Sequence, residues 1–155
     1  MDILKSKVKK NDQHYHFIIL YKYTHLKKRI VAEDTSDWPI EEIEVKVTRS
    51  GDGAQQGQLA SILSVNSSSR TCSVTLNDSG SRIELPFDNM EPVRPSKKDP
   101  VKVLLGQHRG GIGALIGVDG HDGILRLKGQ GTAFKFVSIN HVGKYTGSEI
   151  SNGVV

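Results

Sequence analysis

Ile43, Val45 and Val47 alternate with Glu44 and Lys46, a period of two that predicts a strand with one face buried and one face wet. Leu59 to Val65, Cys72-Val74-Leu76 and Arg82 to Leu85 read as further short strands. They are separated by a loop at Gly51 to Gly57, a flexible turn at Asn66 to Arg70 and the turn signal Asn77-Asp78-Ser79-Gly80. Phe87 to Pro92 is expected to make a 3₁₀ turn. After a stiff connector from Pro92 to Pro100 the pattern starts again. Strands are predicted at Val101–Leu105, Ile112–Asp119, Ile124–Lys128 and Thr132–Val137, with a closing segment at Ile139–Val142.

The second series copies the first. Val45-Lys46-Val47, then nine residues and Gly57, recur 56 positions later as Val101-Lys102-Val103, nine residues and Gly113. Gln58-Leu59-Ala60-Ser61-Ile62 aligns with Ala114-Leu115-Ile116-Gly117-Val118, and Leu85, Met90 and Val93 keep the intervals of Phe134, Ile139 and Val142. Such a period marks a duplicated unit. Each copy is small enough to bury only roughly 60% of its unfolded surface, so the copies are expected to gain from packing together or on a partner. Gly57 and Gly113 are expected to serve a sharp loop and a crowded strand entry. Residues 1–37 fit neither copy. Their lysine-rich start reads as disordered, His16 to Tyr21 as a candidate strand, and Lys27-Lys28-Arg29 as a basic address or phosphate-contact cluster or, more plainly, a solvated charge run.

Composition changes the picture once charge is located. The net +4 of the 155 residues is uneven. Residues 1–30 hold 8 Lys/Arg against 2 Asp/Glu, residues 40–96 hold 5 against 8, and residues 97–145 hold 8 against 3. A polyanion would therefore meet the N-terminal arm and the second copy, while the first copy would be indifferent to it or repel it. The single cysteine, Cys72, leaves no internal disulfide framework. No apolar run approaches the ~18 residues of a membrane span.

Candidate chemistry is sparse. The glycines from Gly106 to Gly117 lack the spacing, the Gly-Lys-Ser/Thr and the following helix that a phosphate loop needs. Asp119, His121 and Asp122 miss the calcium-loop positions, and no further Cys or His lies near for zinc; they read as a hairpin. With no catalytic motif in the chain, no enzyme, metal or cofactor is expected. What remains is a basic face. Lys102 between Val101 and Val103, and Arg126 between Leu125 and Leu127, are expected to point away from the core. Arg109, Lys128, Lys135 and Lys144 extend them into a candidate nucleic-acid-binding patch of phosphate contacts. Base stacking finds little support, since Phe134 aligns with the core position Leu85.

Val-x-Val, a loop, and a glycine followed by alternating apolar residues resembles the KOW motif of small SH3-like barrels. Five segments sharpen the resemblance: Ile43 to Val47, Cys72 to Ser79, Met90 to Pro95, Val101 to Gly106 and Val118 to Leu127. In that order, with the ending Val142-Gly143-Lys144-Tyr145, they are similar to the C-terminal tandem KOW domains of the large subunit of DSIF. That subunit belongs to the eukaryotic suppressor-of-Ty elongation factors, a NusG-family group. The resemblance implies an all-β chain of two tandem SH3-like KOW barrels, to which composition adds a mostly disordered N-terminal extension. The expected divisions are 38–94 and 101–145, a linker at 95–100 and a tail at 146–155. It also implies a nuclear, non-catalytic fragment docked on the RNA polymerase II elongation complex, contacting nascent RNA, upstream DNA or the polymerase surface. The NusG-type N-terminal domain that holds the small partner subunit is not seen in this sequence, so that subunit is not expected to bind. The alternative is a ribosome- or RNA-associated KOW protein bound to structured RNA.

Overall fold

The computed structural model describes residues 37–148. The candidate strand at 16–21 and the cluster at 27–29 lie outside the described residues. The first repeat forms β1 (Glu44–Val47), β2 (Leu59–Asn66), β3 (Thr71–Leu76), β4 (Arg82–Pro86) and β5 (Met90–Pro92), with a 3₁₀ turn at Phe87–Asn89. The second forms β6 (Pro100–Val103), β7 (Ile112–Asp119), β8 (Asp122–Leu127), β9 (Lys135–Ser138) and β10 (Val142–Lys144), with a 3₁₀ turn at Ile139–His141. Each repeat is one five-stranded antiparallel sheet, ordered β4-β3-β2-β1-β5 and β9-β8-β7-β6-β10. The shared connectivity, four strands in a meander and a fifth returned beside the first, is that of tandem SH3-like barrels.

Local chemistry accounts for these elements. β3 buries Cys72, Val74 and Leu76 and turns the intervening residues outward. The hairpin after β7 is a two-residue turn, with Asp119 paired to Asp122 and Gly120 at φ 61°. A glycine with positive φ at the first central position suits the right-handed twist of the flanking strands. Both copies carry a β-bulge at the same place, between Ile62 and Ser64 in β2 and between Leu115 and Gly117 in β7.

Register corrects the repeat alignment. Gly57 N–H donates to the Val47 carbonyl and Val47 N–H to that of Gln58, at 2.8 and 2.9 Å. In the second sheet Gly110 donates to Val103 and Val103 to Gly111 at the same distances. Gly110 (φ 82°) therefore takes the place of Gly57 (φ 90°), and Gly113 takes that of Ala60. Six residues separate Val103 from Gly110 where nine separate Val47 from Gly57. An ungapped reading of the repeat cannot see that shortened loop. Gly57 and Gly113 both have a backbone reason, but different ones. Gly57 supplies positive φ, whereas a Cβ on Gly113 would collide with the Arg126 carbonyl.

The same drift moves the fourth strand. Leu85 stands opposite Cys72, and its counterpart is Val137, opposite Gly123. Met90 beside Val47 corresponds to Val142 beside Val103. Phe134 is thus no core residue; it precedes β9 and is 42% exposed.

Two cores result, of unequal size. The first gathers Ile43, Val45, Ile62, Val74, Leu85 and Phe87, with Trp38 and Ile40 packed against it. The second is smaller, built from Val101, Val103, Leu115, Leu125, Leu127, Ile139 and Val142. Leu104 follows directly on β6 yet is fully buried in the first core. The copies share apolar surface, as their small size demands.

Candidate interaction surface

The Val-Lys-Val strand of each barrel sends two valines inward and its lysine outward. On β1, Lys46 stands opposite Glu91 of β5, and the pair meets at 2.8 Å with about half of each side chain exposed. On β6, Lys102 stands opposite Gly143 of β10, which has no side chain to offer. Its Nζ instead donates to the Glu41 carbonyl at 2.9 Å and lies 3.3 Å from Glu42 Oε2. The Tyr145 ring is 5.7 Å from the ammonium. Lys102 is 8% exposed: it leaves the second core, but "outward" from that core leads into the first barrel rather than to solvent. An ammonium buried this far is stable only because charge-assisted acceptors replace its water.

Arg109 is drawn into the same contact. Its guanidinium donates to the carbonyls of Asp37 at 2.8 Å, Leu104 at 2.5 Å and Pro39 at 3.3 Å, tying the loop after β6 to the segment leading into β1. Lys144 lies 3.4 Å from the carboxylate of Glu44, which also accepts from the Asn77 side-chain amide at 2.9 Å. Backbone bonds complete the junction. Lys144 N–H donates to Val93 and Thr146 N–H to Glu42, at 3.2 and 2.8 Å, and Ile43 bridges Tyr145. Glu42 holds a left-handed conformation (φ 64°), which costs an ordinary residue on the order of 1–3 kcal/mol. Its N–H to Ile62, its carbonyl from Thr146 and its carboxylate beside Lys102 together hold it there.

The predicted patch therefore divides. Lys102, Arg109 and Lys144 are engaged where the barrels meet. Arg126, Lys128 and Lys135 lie elsewhere on the second barrel. Arg126 projects from the outer face of β8 with its guanidinium 5.3 Å from the Phe134 ring centroid. Lys128 is exposed in the turn after β8. Lys135 opens β9 opposite the core residue Leu125 and is half-buried. Sequence reasoning missed Glu42 and Glu44 as receivers of the second copy's charge. The signal was present in the opposite charge balances of the two copies.

Cys72, inside the first core, has its thiol pushed up to about 12 by desolvation. It is a packing residue rather than a nucleophile.

Comparison with known proteins bears on this geometry. Residues 93–145, the second barrel and its connector, match the family described as transcription elongation factor SPT5, seventh KOW domain. The second barrel is thus similar to an SPT5 KOW domain. It is 34% identical over 101 residues to SPT5 homolog 1 of Arabidopsis thaliana, an alignment covering 63% of this chain and 9% of that protein. So long an alignment also enters the first barrel, because only 62 residues follow Val93. The chain spans about a tenth of its SPT5 relative's length.

Proposed function

We propose that this SPT5-type tandem is a non-catalytic docking module that works in the nucleus on the RNA polymerase II elongation complex. The observation that carries the reading is the junction. Buried Lys102, the Arg109 clamp and Leu104 in the first core join two marginal barrels into one body, so a partner meets a single composite surface. Kinship with SPT5 supplies the context. The test is a pull-down of purified RNA polymerase II elongation complex, with and without nascent RNA. Retention in both cases supports docking on protein. No retention in either sinks the reading. The small partner subunit alone is not expected to be retained.

A second reading, contact with nucleic-acid phosphates, draws on exposed Arg126 and Lys128 with Lys135. The division of the patch limits it. Three phosphate contacts on a single strand predict about a 20-fold affinity loss between roughly 50 and 200 mM salt, whereas six predict about 300-fold. Salt titration of RNA binding separates the two, and a flat response removes this reading.

A further inference from the structure

The duplication supplies an internal control for the second barrel's outer face. Ser73 on β3 pairs with Glu84 on β4, and Thr75 with Arg82. At the corresponding places Ile124 on β8 pairs with Phe136 on β9, and Arg126 lies over Phe134. Ile124 and Arg126 alternate with the buried Leu125 and Leu127, so these residues stand on the outer face. The first barrel builds the same fold with serine, threonine, glutamate and arginine there. The fold does not need isoleucine and two phenylalanines at these positions, where Phe134 is exposed and Ile124 and Phe136 are half-buried, and apolar groups on an outer sheet face mark a contact surface.

We infer that the outer face of β8 and β9 docks a protein segment carrying branched or aromatic side chains together with carboxylates. The inference rests on the docking reading above and names the chemistry of the partner. The apolar pair Ile124 and Phe136 would take the side chains, and Phe134 beneath Arg126 joins the two residue types most enriched at protein interfaces, aromatic and arginine. Charge orients the segment. Arg126 and Lys128 lie toward one end of β8, whereas Asp119 and Asp122 face each other at the hairpin end. The partner's carboxylates belong at the Arg126 end. A nucleic acid fits less well, because single strands use a row of stacking rings along a cationic groove, whereas on this face Phe134 is exposed and Phe136 is half-buried beside Ile124.

The test places photo-crosslinkable p-benzoylphenylalanine at Phe134, and as control at its twin position Arg82, in the full chain. Both forms are incubated with the elongation complex carrying labelled nascent RNA. The expected result is a crosslink from position 134 to a protein segment rich in Asp or Glu and apolar residues, and none from position 82. A crosslink to RNA, equal crosslinks from both positions, or a retained complex without a crosslink at 134 overturns the inference.

If the complex is not retained, the docking reading fails and the face is tested alone. The purified chain is titrated with a short peptide alternating Asp and Phe, its Lys-for-Asp counterpart and a uridine homopolymer, read by amide chemical shifts. The acidic peptide should move the Ile124, Arg126 and Phe136 amides. Its affinity should fall about tenfold or more in a variant carrying the twin's residues, Ile124→Ser with Phe136→Glu, with shift dispersion confirming that the variant folds. Equal or tighter binding of the basic peptide or the homopolymer, or no movement on β8 and β9, overturns the inference.

Discussion

Lys46 and Lys102 occupy the same place in the same tripeptide, yet they do different things. Lys46 reaches a facing glutamate in solvent, whereas Lys102 faces a glycine and is carried into the neighbouring barrel. An exposed pair of the first kind contributes about 0–1 kcal/mol. A buried ammonium held by a carbonyl and a carboxylate cannot lose its acceptors cheaply. The difference shows how a repeated strand takes on a second role. The pairing partner across the sheet changes, and the freed side chain bonds outside its own barrel. It also revises the meaning of the charge asymmetry. The second copy's excess of cations is in part the complement of the first copy's carboxylates.

The largest expected effect breaks this contrast directly. Lys102→Glu sets a new carboxylate against Glu42 and the Glu41 carbonyl and should destabilise the chain by about 3–5 kcal/mol. Lys46→Glu should cost no more than about 1 kcal/mol. Urea unfolding of both variants measures the difference, and equal losses would refute the junction as described. Next comes Leu104→Ala. As a fully buried leucine it should cost about 2–5 kcal/mol. Because its side chain lies in the first core, hydrogen exchange should rise in β1 to β5 although the substitution is in the second repeat. Acceleration confined to β6 to β10 would contradict that placement.

Gly113→Ala sharpens the comparison at the level of register. Its Cβ meets the Arg126 carbonyl, so the backbone must shift, at a cost of about 1–3 kcal/mol. Gly110→Ala meets only Ile40 Cδ1, at an ordinary 4.0 Å, so its positive φ is what counts against it, and it should cost about 1 kcal/mol, as should Gly57→Ala. Thermal melts that rank Gly110 with Gly57, and Gly113 apart, would uphold the corrected equivalence.

The smallest effect at neutral pH concerns Cys72. Its folded thiol titrates near 12 against an ordinary 9.0, so the native state keeps a proton that the unfolded chain releases. Stability should be unaffected below pH 9, fall as pH rises from 9 and level off past 12. Cys72→Val should remove that part of the alkaline slope. Native Cys72 should also resist thiol reagents at neutral pH until the chain unfolds.

Much of the fold was legible because it rests on local signals. Alternation located the strands, and Asn77 to Gly80 and Asp119 to Gly123 announced their turns. β7 falls at Ile112–Asp119 as predicted, and the 3₁₀ turn expected between Phe87 and Pro92 spans Phe87–Asn89. Legibility failed where a count of residues stood in for a count of hydrogen bonds. The shortened loop before Gly110 displaced the glycine equivalence, and drift through the later loops put Phe134 in a core that Val137 fills. The second copy's fourth strand is accordingly Lys135–Ser138, later than the predicted Thr132–Val137.

For the candidate surface the division is sharper. The amino-acid order by itself determined that Lys102 and Arg126 leave the second core, because alternation along a strand is a property of the backbone. Only the tertiary structure decided where they arrive. Arg126 lies over Phe134, but Lys102 meets the carbonyl of Glu41, a residue 61 positions away. Direction from a strand is set within a few residues. What stands in that direction is set by which surfaces two small barrels must hide from water.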